Sequence, residues 1–243
     1  MSLSKNHIKL ITSLQQKKYR QKHKLFVAEG VKVVEELLLS EFKIEKLFVT
    51  QDYKPNLSEE QLVVVSEIEL KKISQLKSPN KVLGLFRIPE TNSELNKGLI
   101  VALDDVNDPG NLGAIIRLCD WFGVSKLVCS KSTVDCFNQK VVQASMGSLT
   151  RIDIVYEDLI PFLEGAEFPS FIADMDGKNV YESNLPKDAI LIMGNEANGI
   201  SDKIRAVVDS KISIPRFGDT QQTESLNVAT ATAILLSEFK RNC

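Results

Sequence analysis

Three polar segments of this 243-residue chain hold side chains that could bind or orient a ligand. The first is the run 104–113 (DDVNDPGNLG), and Arg117 follows it closely. The second is the run 192–200 (IMGNEANGI), and the third joins Ile214-Pro215 to the run 225–228 (SLNV). Amide and guanidinium groups hydrogen-bond to anions and substrates, and glycines let a backbone approach a ligand closely. The three segments are therefore candidate functional sites.

The first segment predicts a turn into a helix over residues 112–122, with Asn111 as its N-cap. The predicted buried face of that helix consists of Leu112, Ile115, Ile116, Cys119 and Phe122. Arg117 lies outside this face, and the macrodipole disfavours a cation near the start of a helix. Two interpretations remain open, because Arg117 could contact an anion or a substrate, or be an ordinary surface arginine.

The second segment offers a backbone that a ligand can approach at Gly194 and Gly199. It lacks the Gly-Lys-Ser/Thr ending of a phosphate-binding loop, and the chain has no GxGxxG fingerprint of a dinucleotide site. Glu196 could orient this loop or pair with a neighbouring arginine. A simple tight turn is the alternative.

The third segment predicts a terminal helix over residues 225–240, with Ser225 as its N-cap. From Leu226 to Leu236 this helix has mostly small or apolar side chains, which is typical of burial on more than one side. Such burial arises deep in a core or at a subunit interface. If Asn227 is buried in the first turn, it needs a hydrogen-bonding partner from the backbone or from a ligand.

Composition narrows the class of protein. The chain is 43% hydrophobic, but no apolar run is long enough to span a bilayer and the N-terminus does not resemble a secretory signal, so we expect a cytoplasmic protein without a membrane partner. The four cysteines form no CxxC pair and predict free thiols. With only two histidines, His7 and His23, we expect no metal site.

Charge is distributed unevenly along the chain. The formal net charge is −2, yet residues 1–28 carry seven Lys or Arg and no Asp or Glu. This asymmetry indicates a phosphate-attracting surface near the N-terminus, although a solvated basic helix would give the same pattern. The candidate phosphate contacts are Lys17, Lys18, Arg20 and Lys22.

The pattern of apolar residues predicts an α/β protein with two domains, at 1–90 and 98–243, joined by a polar linker at 89–98. In the first domain we expect helices at 3–18, 28–40 and 66–76 (the last capped by Ser66) and strands at 44–49, 62–65 and 82–88. In the second we expect strands at 99–105, 126–129, 152–155, 169–173, 189–193 and 211–214, with helices at 112–122, 138–146, 156–164 and 225–240. This alternation is typical of a parallel sheet, whose ligands bind beyond the carboxyl ends of the strands.

Taken together, the three segments resemble the motifs of the SpoU/TrmH family of RNA ribose 2′-O-methyltransferases, in the SPOUT superfamily. The matching residues are Asn111, Gly113 and Arg117, then Gly194, Glu196 and Gly199, then Ile214-Pro215 and Ser225 to Val228. The run 26–30 (FVAEG) is similar to a motif of the family's ribosomal-protein-L30e-like N-terminal domain. The resemblance covers residues 99–241 and extends to the opening segment.

The resemblance implies a trefoil-knotted C-terminal domain, a homodimer formed through that domain, an RNA substrate and S-adenosylmethionine as cofactor. By that resemblance Arg117 is the base or the residue that orients the hydroxyl, but guanidinium groups generally stay protonated, so we expect it to stabilise the developing alkoxide and to bind the adjacent phosphate. Asn111, Ser225 and Asn227 would position Arg117 and the nucleotide, and Glu196 would hold the loop. The implied cofactor contacts are Ala173, Asp174, Met193, Gly194, Asn195, Ile214 and Leu226. Lys17, Lys18, Arg20 and Lys22 would contact RNA.

The sequence departs from the family pattern in two ways, and three alternative functions remain. The run from Pro215 to Ser225 is longer than in many family members, and Arg216-Phe217 stands where a Met followed by a hydrophobic or small residue is common. The alternatives are a SPOUT enzyme that methylates a base nitrogen of tRNA, a non-catalytic RNA-binding relative, and an unrelated nucleotide-binding α/β enzyme. The SLNV motif favours the ribose-methylating branch, and the two-domain layout favours ribosomal RNA over tRNA.

Overall fold

The computed structural model describes residues 3–90, 98–208, 210–218 and 225–241. Residue contacts divide the chain into two units, one of Met1–Glu90 with Asp135–Thr150 and the other of Thr91–Val134 with Arg151–Cys243. Each unit has its own sheet. Most of the predicted linker lies outside the described residues.

The first unit is a four-stranded sheet with helices packed on it. Its elements are α1 (Lys5–Ser13), α2 (Lys17–His23), β1 (Leu25–Glu29), α3 (Val31–Leu38), β2 (Ile44–Val49), β3 (Leu62–Val64), α4 (Glu67–Ile73), β4 (Val82–Arg87) and, later in the chain, α6 (Gln139–Ser145). The strand order is β1-β4-β2-β3. Ser66 caps α4 as predicted, and its hydroxyl accepts a hydrogen bond from the Glu69 amide at 3.3 Å.

Two predictions for this unit are wrong. The helix predicted at 3–18 is broken into α1 and α2, because Gln16 adopts an extended conformation. The helix predicted at 28–40 begins only at Val31, and the residues before it form β1, whose five positions are all buried. A fully buried strand has no alternation of apolar and polar residues, so periodicity alone could not separate it from the helix.

The structure also differs from the predicted domain division at one segment. Residues 135–150, which the sequence pattern places in the second domain, lie in the first unit. Phe137 packs on Phe26 of β1 with ring centroids 4.9 Å apart, and the Gln139 amide donates a hydrogen bond to the Glu29 carboxylate. These contacts explain why the segment belongs to that unit.

The second unit contains the parallel sheet that the sequence predicts. Its elements are β5 (Leu99–Leu103), α5 (Pro109–Trp121), β6 (Lys126–Ser130), β7 (Ile154–Glu157), α7 (Leu159–Glu164), β8 (Ser170–Asn179), β9 (Ala189–Met193), α8 (Asp202–Arg205), β10 (Ser210–Ser213) and α9 (Val228–Lys240). The strand order is β10-β8-β9-β5-β6-β7, and every described pair of neighbours is parallel. Buried residues of β5 and β9, such as Ile100 and Ile192, form the core.

The edge of this sheet at β10 is irregular. Lys211 pairs with Ile172 of β8, but the next residue, Ile212, pairs with Lys178, so residues 173–177 leave the ladder. A Cβ atom on Gly177 would lie 2.5 Å from the backbone of Ile212, a distance that real side chains do not adopt. The two backbones therefore touch at this point, and only glycine fits.

The helix caps differ from the prediction at both candidate motifs. Asp108, not Asn111, caps α5, because the helix begins at Pro109, a residue favoured in the first turn. Asn227, not Ser225, caps α9, and its side-chain oxygen accepts hydrogen bonds from the amides of Ala229 and Thr230 at 3.0 and 3.3 Å. The side chain of Asn111 is thereby released for contacts outside its own helix.

Candidate active site

The candidate site lies where β5 and β9 end side by side in the sheet. The loop after β5 and the loop after β9 are joined at their bases, since the Asp104 amide donates to the Met193 carbonyl at 2.9 Å. The Asp104 carboxylate in turn accepts from the Ser201 amide at 2.8 Å. Parallel packing thus brings the first two sequence motifs together, as expected for the carboxyl edge of such a sheet.

Glu196 ties the two loops at their tips. One carboxylate oxygen accepts from the Asn111 side-chain amide at 2.9 Å and from the Asp108 amide at 3.2 Å, and the other accepts from the Asn107 amide at 3.3 Å. Desolvation alone would raise the pKa of Glu196, but these hydrogen bonds outweigh it and the pKa is lowered. Of the two interpretations of Glu196, the geometry matches loop orientation.

Asn111 extends this link to the third motif. Its side-chain oxygen accepts a hydrogen bond from the side-chain amide of Asn227 at 2.9 Å. Asn227 is exposed rather than buried, and its partners are the start of α9 and Asn111. Glu196, Asn111 and Asn227 therefore form one chain of hydrogen bonds across three segments, which we call the amide network.

The conformation of the loop after β5 depends on residues that the motifs do not include. Asp105 has a φ of 61°, in the left-handed region that non-glycine residues rarely adopt. Its amide donates to the Ser130 hydroxyl at 3.0 Å, and its carbonyl accepts from the Asn195 side chain at 2.7 Å. The sequence analysis gave no role to Ser130, which directly follows the predicted strand 126–129, or to Asp108, although an Asp-Pro before a helix is a recognisable capping signal.

The loop after β9 is a tight turn whose polar groups are largely used internally. Asn195 and Gly199 exchange two backbone hydrogen bonds at 2.9 and 3.0 Å, and the Asn195 side-chain oxygen accepts from the amides of Ala197 and Asn198. A Cβ on Gly194 would lie 2.4 Å from the backbone of Gly199. The side chain of Asn195 therefore shapes the turn, and only glycine fits at position 194.

Six of the seven predicted cofactor contacts lie in or directly after three adjacent strands, β10, β8 and β9, whereas Leu226 lies just before α9. Met193 is buried at the end of β9, Ile214 follows β10 half-buried, and Leu226 is 48% exposed. Asp174 lies beside Ala173 in the stretch of β8 that leaves the ladder, where its carboxylate pairs with the guanidinium of Arg205. The positions on or directly after β8, β9 and β10 share one edge of the sheet.

Two predicted catalytic residues stand apart from the amide network. Arg117 is exposed, and within the described residues it makes no hydrogen bond or ion pair. It lies six residues beyond Asn111 on α5, which is about 9 Å along the helix and on a different face. Ser225 is exposed and does not cap α9.

The predicted basic surface needs one correction. Lys17, Lys18 and Lys22 are exposed on α2, but Arg20 is only 3% exposed. Its guanidinium pairs with Asp135 at 2.5 Å and donates to the carbonyls of Leu14 and Gln15. Arg20 therefore holds the break between α1 and α2 and is not available at the surface.

A parallel sheet with glycine-containing and amide-rich loops at its carboxyl edge is the arrangement of a ligand-binding α/β protein. Within the described ranges, no helix is long and apolar enough to cross a membrane, and no three His, Cys, Asp or Glu side chains group as a metal site.

A family model described as the SpoU rRNA methylase family matches residues 98–237, and a model of the MRM3-like substrate binding domain matches residues 5–84. The chain belongs to the SpoU rRNA methylase family.

Named relatives extend this similarity. The chain is 30% identical to a 23S rRNA (guanosine(2553)-2′-O)-methyltransferase of Bacillus subtilis (strain 168), over 93% of each chain. It is 32% identical to a tRNA (guanosine(18)-2′-O)-methyltransferase of Aquifex aeolicus, over 65% of this chain and 75% of the relative. The crystal structure of an AdoMet-bound rRNA methyltransferase from Sinorhizobium meliloti matches with a TM-score of 0.87 and 30% identity, over 99% of this chain and 96% of that one.

Proposed function

We propose that this protein transfers a methyl group from S-adenosylmethionine to a ribose 2′-hydroxyl of structured RNA. The observation that carries the proposal is the amide network, which joins all three family motifs through the side chains of Glu196, Asn111 and Asn227. Family membership and the names of the relatives support the same reaction.

Ribosomal RNA is the favoured substrate. The relative that matches across 93% of both chains is named as a 23S rRNA enzyme, whereas the tRNA relative matches only 65% of this chain. The substrate binding domain model over residues 5–84 supports a dedicated RNA-binding unit. We propose that the exposed lysines of α2, namely Lys17, Lys18 and Lys22, contact the RNA backbone there.

The residues at the edge formed by β8, β9 and β10 fit the proposed cofactor. Gly194 keeps the turn narrow, and Ile214 and Leu226 offer partly exposed apolar surface beside main-chain polar groups. We propose that these residues hold the cofactor, with Ala173 and Met193 shaping the pocket and with Asp174 and Asn195 fixing its loops. When bound, the cofactor supplies an activated methyl group on a sulfonium, so the chain must mainly orient the acceptor hydroxyl.

Arg117 is the proposed catalytic residue. A guanidinium group has N–H donors and no acceptor, so the role that we propose for Arg117 is not that of a base. It can donate hydrogen bonds to the negative charge that develops on the ribose oxygen and to the neighbouring phosphate. The proton then leaves through that phosphate or through water.

Because Arg117 stands apart from the amide network of its own chain, we propose that a homodimer through the second unit completes the site. Trp121 lies one turn after Arg117 on the same face of α5 and is 84% exposed, and Ala231 and Ile234 of α9 are only partly buried. An exposed tryptophan beside partly covered apolar positions favours a subunit interface. The partner subunit's Arg117 would then face the amide network.

Three further expectations follow from family membership and are proposals for this chain. We propose that the second unit is trefoil-knotted, on the ground of its match to the SpoU rRNA methylase family model. We propose that the first unit is ribosomal-protein-L30e-like. We propose that the protein acts in the cytoplasm, and the buried free thiols of Cys119, Cys129 and Cys136 agree with a reducing compartment.

The deciding experiment is methyl transfer in vitro. The purified protein is incubated with S-adenosylmethionine bearing a deuterated methyl group and with ribosomal RNA or tRNA from cells that lack the gene. Mass spectrometry of the nucleosides is expected to find the label on ribose, in ribosomal RNA. Label on a base would favour the base-methylating alternative, and no label in either RNA, despite cofactor and RNA binding, would favour the non-catalytic relative.

A further inference from the structure

An exposed pair of aromatic rings lies in the second unit, outside the amide network. Tyr181 belongs to the short 3-10 helix that follows β8, and Phe217 follows β10. Their rings stack with centroids 6.5 Å apart and planes inclined by 28°. Phe217 is nevertheless 82% exposed, so Tyr181 covers one ring face and the other is open. We call Tyr181 and Phe217 the aromatic pair.

The aromatic pair has a cationic and a thioether neighbour. The Arg216 guanidinium contacts the sulfur of Met175, and both side chains are exposed. The acidic residues Asp176 and Glu182 lie in the same segments, and Glu182 accepts a hydrogen bond from Asn179 at 2.9 Å. With charges of both signs, this surface is poorly suited to gripping phosphates alone. Its distinguishing feature is the open aromatic ring.

We propose that the aromatic pair stacks on an unpaired nucleobase of the RNA substrate, an inference that rests on the proposed function. Proteins recognise single-stranded or looped RNA by stacking splayed-out bases on aromatic side chains and on arginine planes. A base seated on Phe217 continues the stack that Tyr181 begins. Arg216 lies beside it to attract the adjacent phosphate.

Charge and size favour a base of RNA over the other possible occupants. RNA is a polyanion, and Arg216 lies next to Phe217, where it can attract the phosphate beside a stacked base. A second copy of this chain would need roughly 800 Å² of surface per partner, and the four side chains of this patch offer less than that. The role of the aromatic pair is therefore substrate recognition. A change in the pair should alter the affinity for RNA and the KM for the RNA substrate.

The test compares two short fluorescent oligonucleotides, an oligouridine and an abasic oligomer of the same length. We expect the full-length protein to bind oligouridine about tenfold more tightly than the abasic oligomer by fluorescence anisotropy. Phe217→Ala is expected to abolish this preference, Phe217→Leu to restore little of it, and Phe217→Tyr to retain most of it. The matched leucine and tyrosine variants separate ring stacking from apolar area.

Three outcomes would overturn the proposal. The first is a wild-type protein that binds the oligouridine no more tightly than the abasic oligomer. The second is a Phe217→Ala variant that loses affinity for S-adenosylmethionine in calorimetry, and the third is a Phe217→Ala variant whose mass in solution falls by half. The last two would assign Phe217 to the cofactor or to a subunit interface. Methyl transfer is scored separately. A protein that prefers bases but transfers no methyl group would retain the stacking site and refute the proposed reaction.

Discussion

Two arginines of this chain have opposite environments. Arg20 lies in the first unit, 3% exposed, with its guanidinium bound by Asp135 and by two backbone carbonyls. Arg117 lies in the second unit, exposed, and among the described residues it has no polar partner. A buried guanidinium must have its charge and donors satisfied, whereas an exposed one keeps its donors available to a ligand. The sequence analysis predicted Arg20 as an RNA contact and Arg117 as a catalytic residue. The burial of Arg20 shows that only Arg117 is exposed to a ligand.

The carboxylates of Glu29 and Glu196 differ in burial in the same way as the two arginines. Glu29 is buried in the first unit and accepts hydrogen bonds from Ser74, Gln75 and Gln139. Desolvation raises the pKa of Glu29, against the lowering effect of its hydrogen bonds, whereas the hydrogen bonds of the more exposed Glu196 lower its pKa. Both carboxylates join segments of their own unit, but Glu29 does so in the buried interior and Glu196 does so at the surface.

The largest expected effect is on catalysis by Arg117. Arg117→Ala should reduce kcat by about a thousandfold, because the developing oxyanion loses its charged donor. Affinity for S-adenosylmethionine should stay within severalfold in calorimetry, and the thermal midpoint should hardly change. Arg117→Lys is the matched control, which keeps the charge and loses the planar fork, so only partial rescue is expected. Comparable turnover by wild type and Arg117→Ala would remove Arg117 from the mechanism.

Arg20→Ala should act in the opposite way, on stability. Removing one member of a buried ion pair leaves Asp135 unpaired and two carbonyls without a donor, at a cost of about 3–5 kcal/mol in the free energy of unfolding. Urea titration measures this loss. Lys18→Ala, on the same helix but exposed, should cost under about 0.5 kcal/mol. Equal stability of the two variants would contradict the structural role of Arg20.

The surface lysines of α2 should set the salt dependence of RNA binding. Replacing Lys17, Lys18 and Lys22 together by glutamine should lower the slope of log affinity against log salt by about 2 to 3, since each phosphate contact releases nearly one counterion. The control is Lys71→Gln with Lys72→Gln, on exposed positions of α4 in the same unit. An unchanged slope in the triple variant, or an equal change in the control, would put the RNA surface elsewhere.

The smallest expected effect concerns the pH dependence of stability, to which Glu196 and Glu29 should contribute in opposite directions. Because the folded-state pKa of Glu196 is lowered, its contribution to stability is present above the ordinary value of 4.5 and is lost as the pH falls through the folded pKa. The folded-state pKa of Glu29 is raised, so its favourable contribution is present below 4.5 and is lost as the pH rises through the folded pKa.

Urea titrations of Glu196→Gln and Glu29→Gln between about pH 3 and about pH 7 measure both trends. The stability of Glu196→Gln relative to wild type should improve toward low pH, and that of Glu29→Gln should improve toward high pH. Parallel trends for the two variants would contradict the contrast between the two carboxylates.

Local signals predicted the parallel sheet and the positions of the three motifs. Apolar strands alternating with helices identify the sheet, and the carboxyl-edge rule then brings Asn111 and Glu196 together. The Ser66 cap of α4 and the helix predicted at 138–146 are local as well, and both are confirmed. The spacing of the motifs indicated which loops form the candidate site, but it could not indicate which of their side chains are in contact.

What sequence could not predict depends on distant partners. Asp135 lies 115 residues from Arg20, and no periodicity links them, so the burial of that arginine was invisible. The uniform burial of β1 removed the alternation that marks a strand. Asp108 displaced Asn111 as the cap of α5, and this local competition decided that Asn111 would bridge Glu196 and Asn227.

The most direct test of ribose methylation by this protein is to map 2′-O-methyl groups in the total RNA of cells with and without the gene. One ribosomal 2′-O-methyl position should disappear on deletion, return with the wild-type gene, and stay absent with Arg117→Ala expressed at equal level. An unchanged ribose map, or full restoration by Arg117→Ala, would contradict a ribose-directed enzyme that uses this guanidinium.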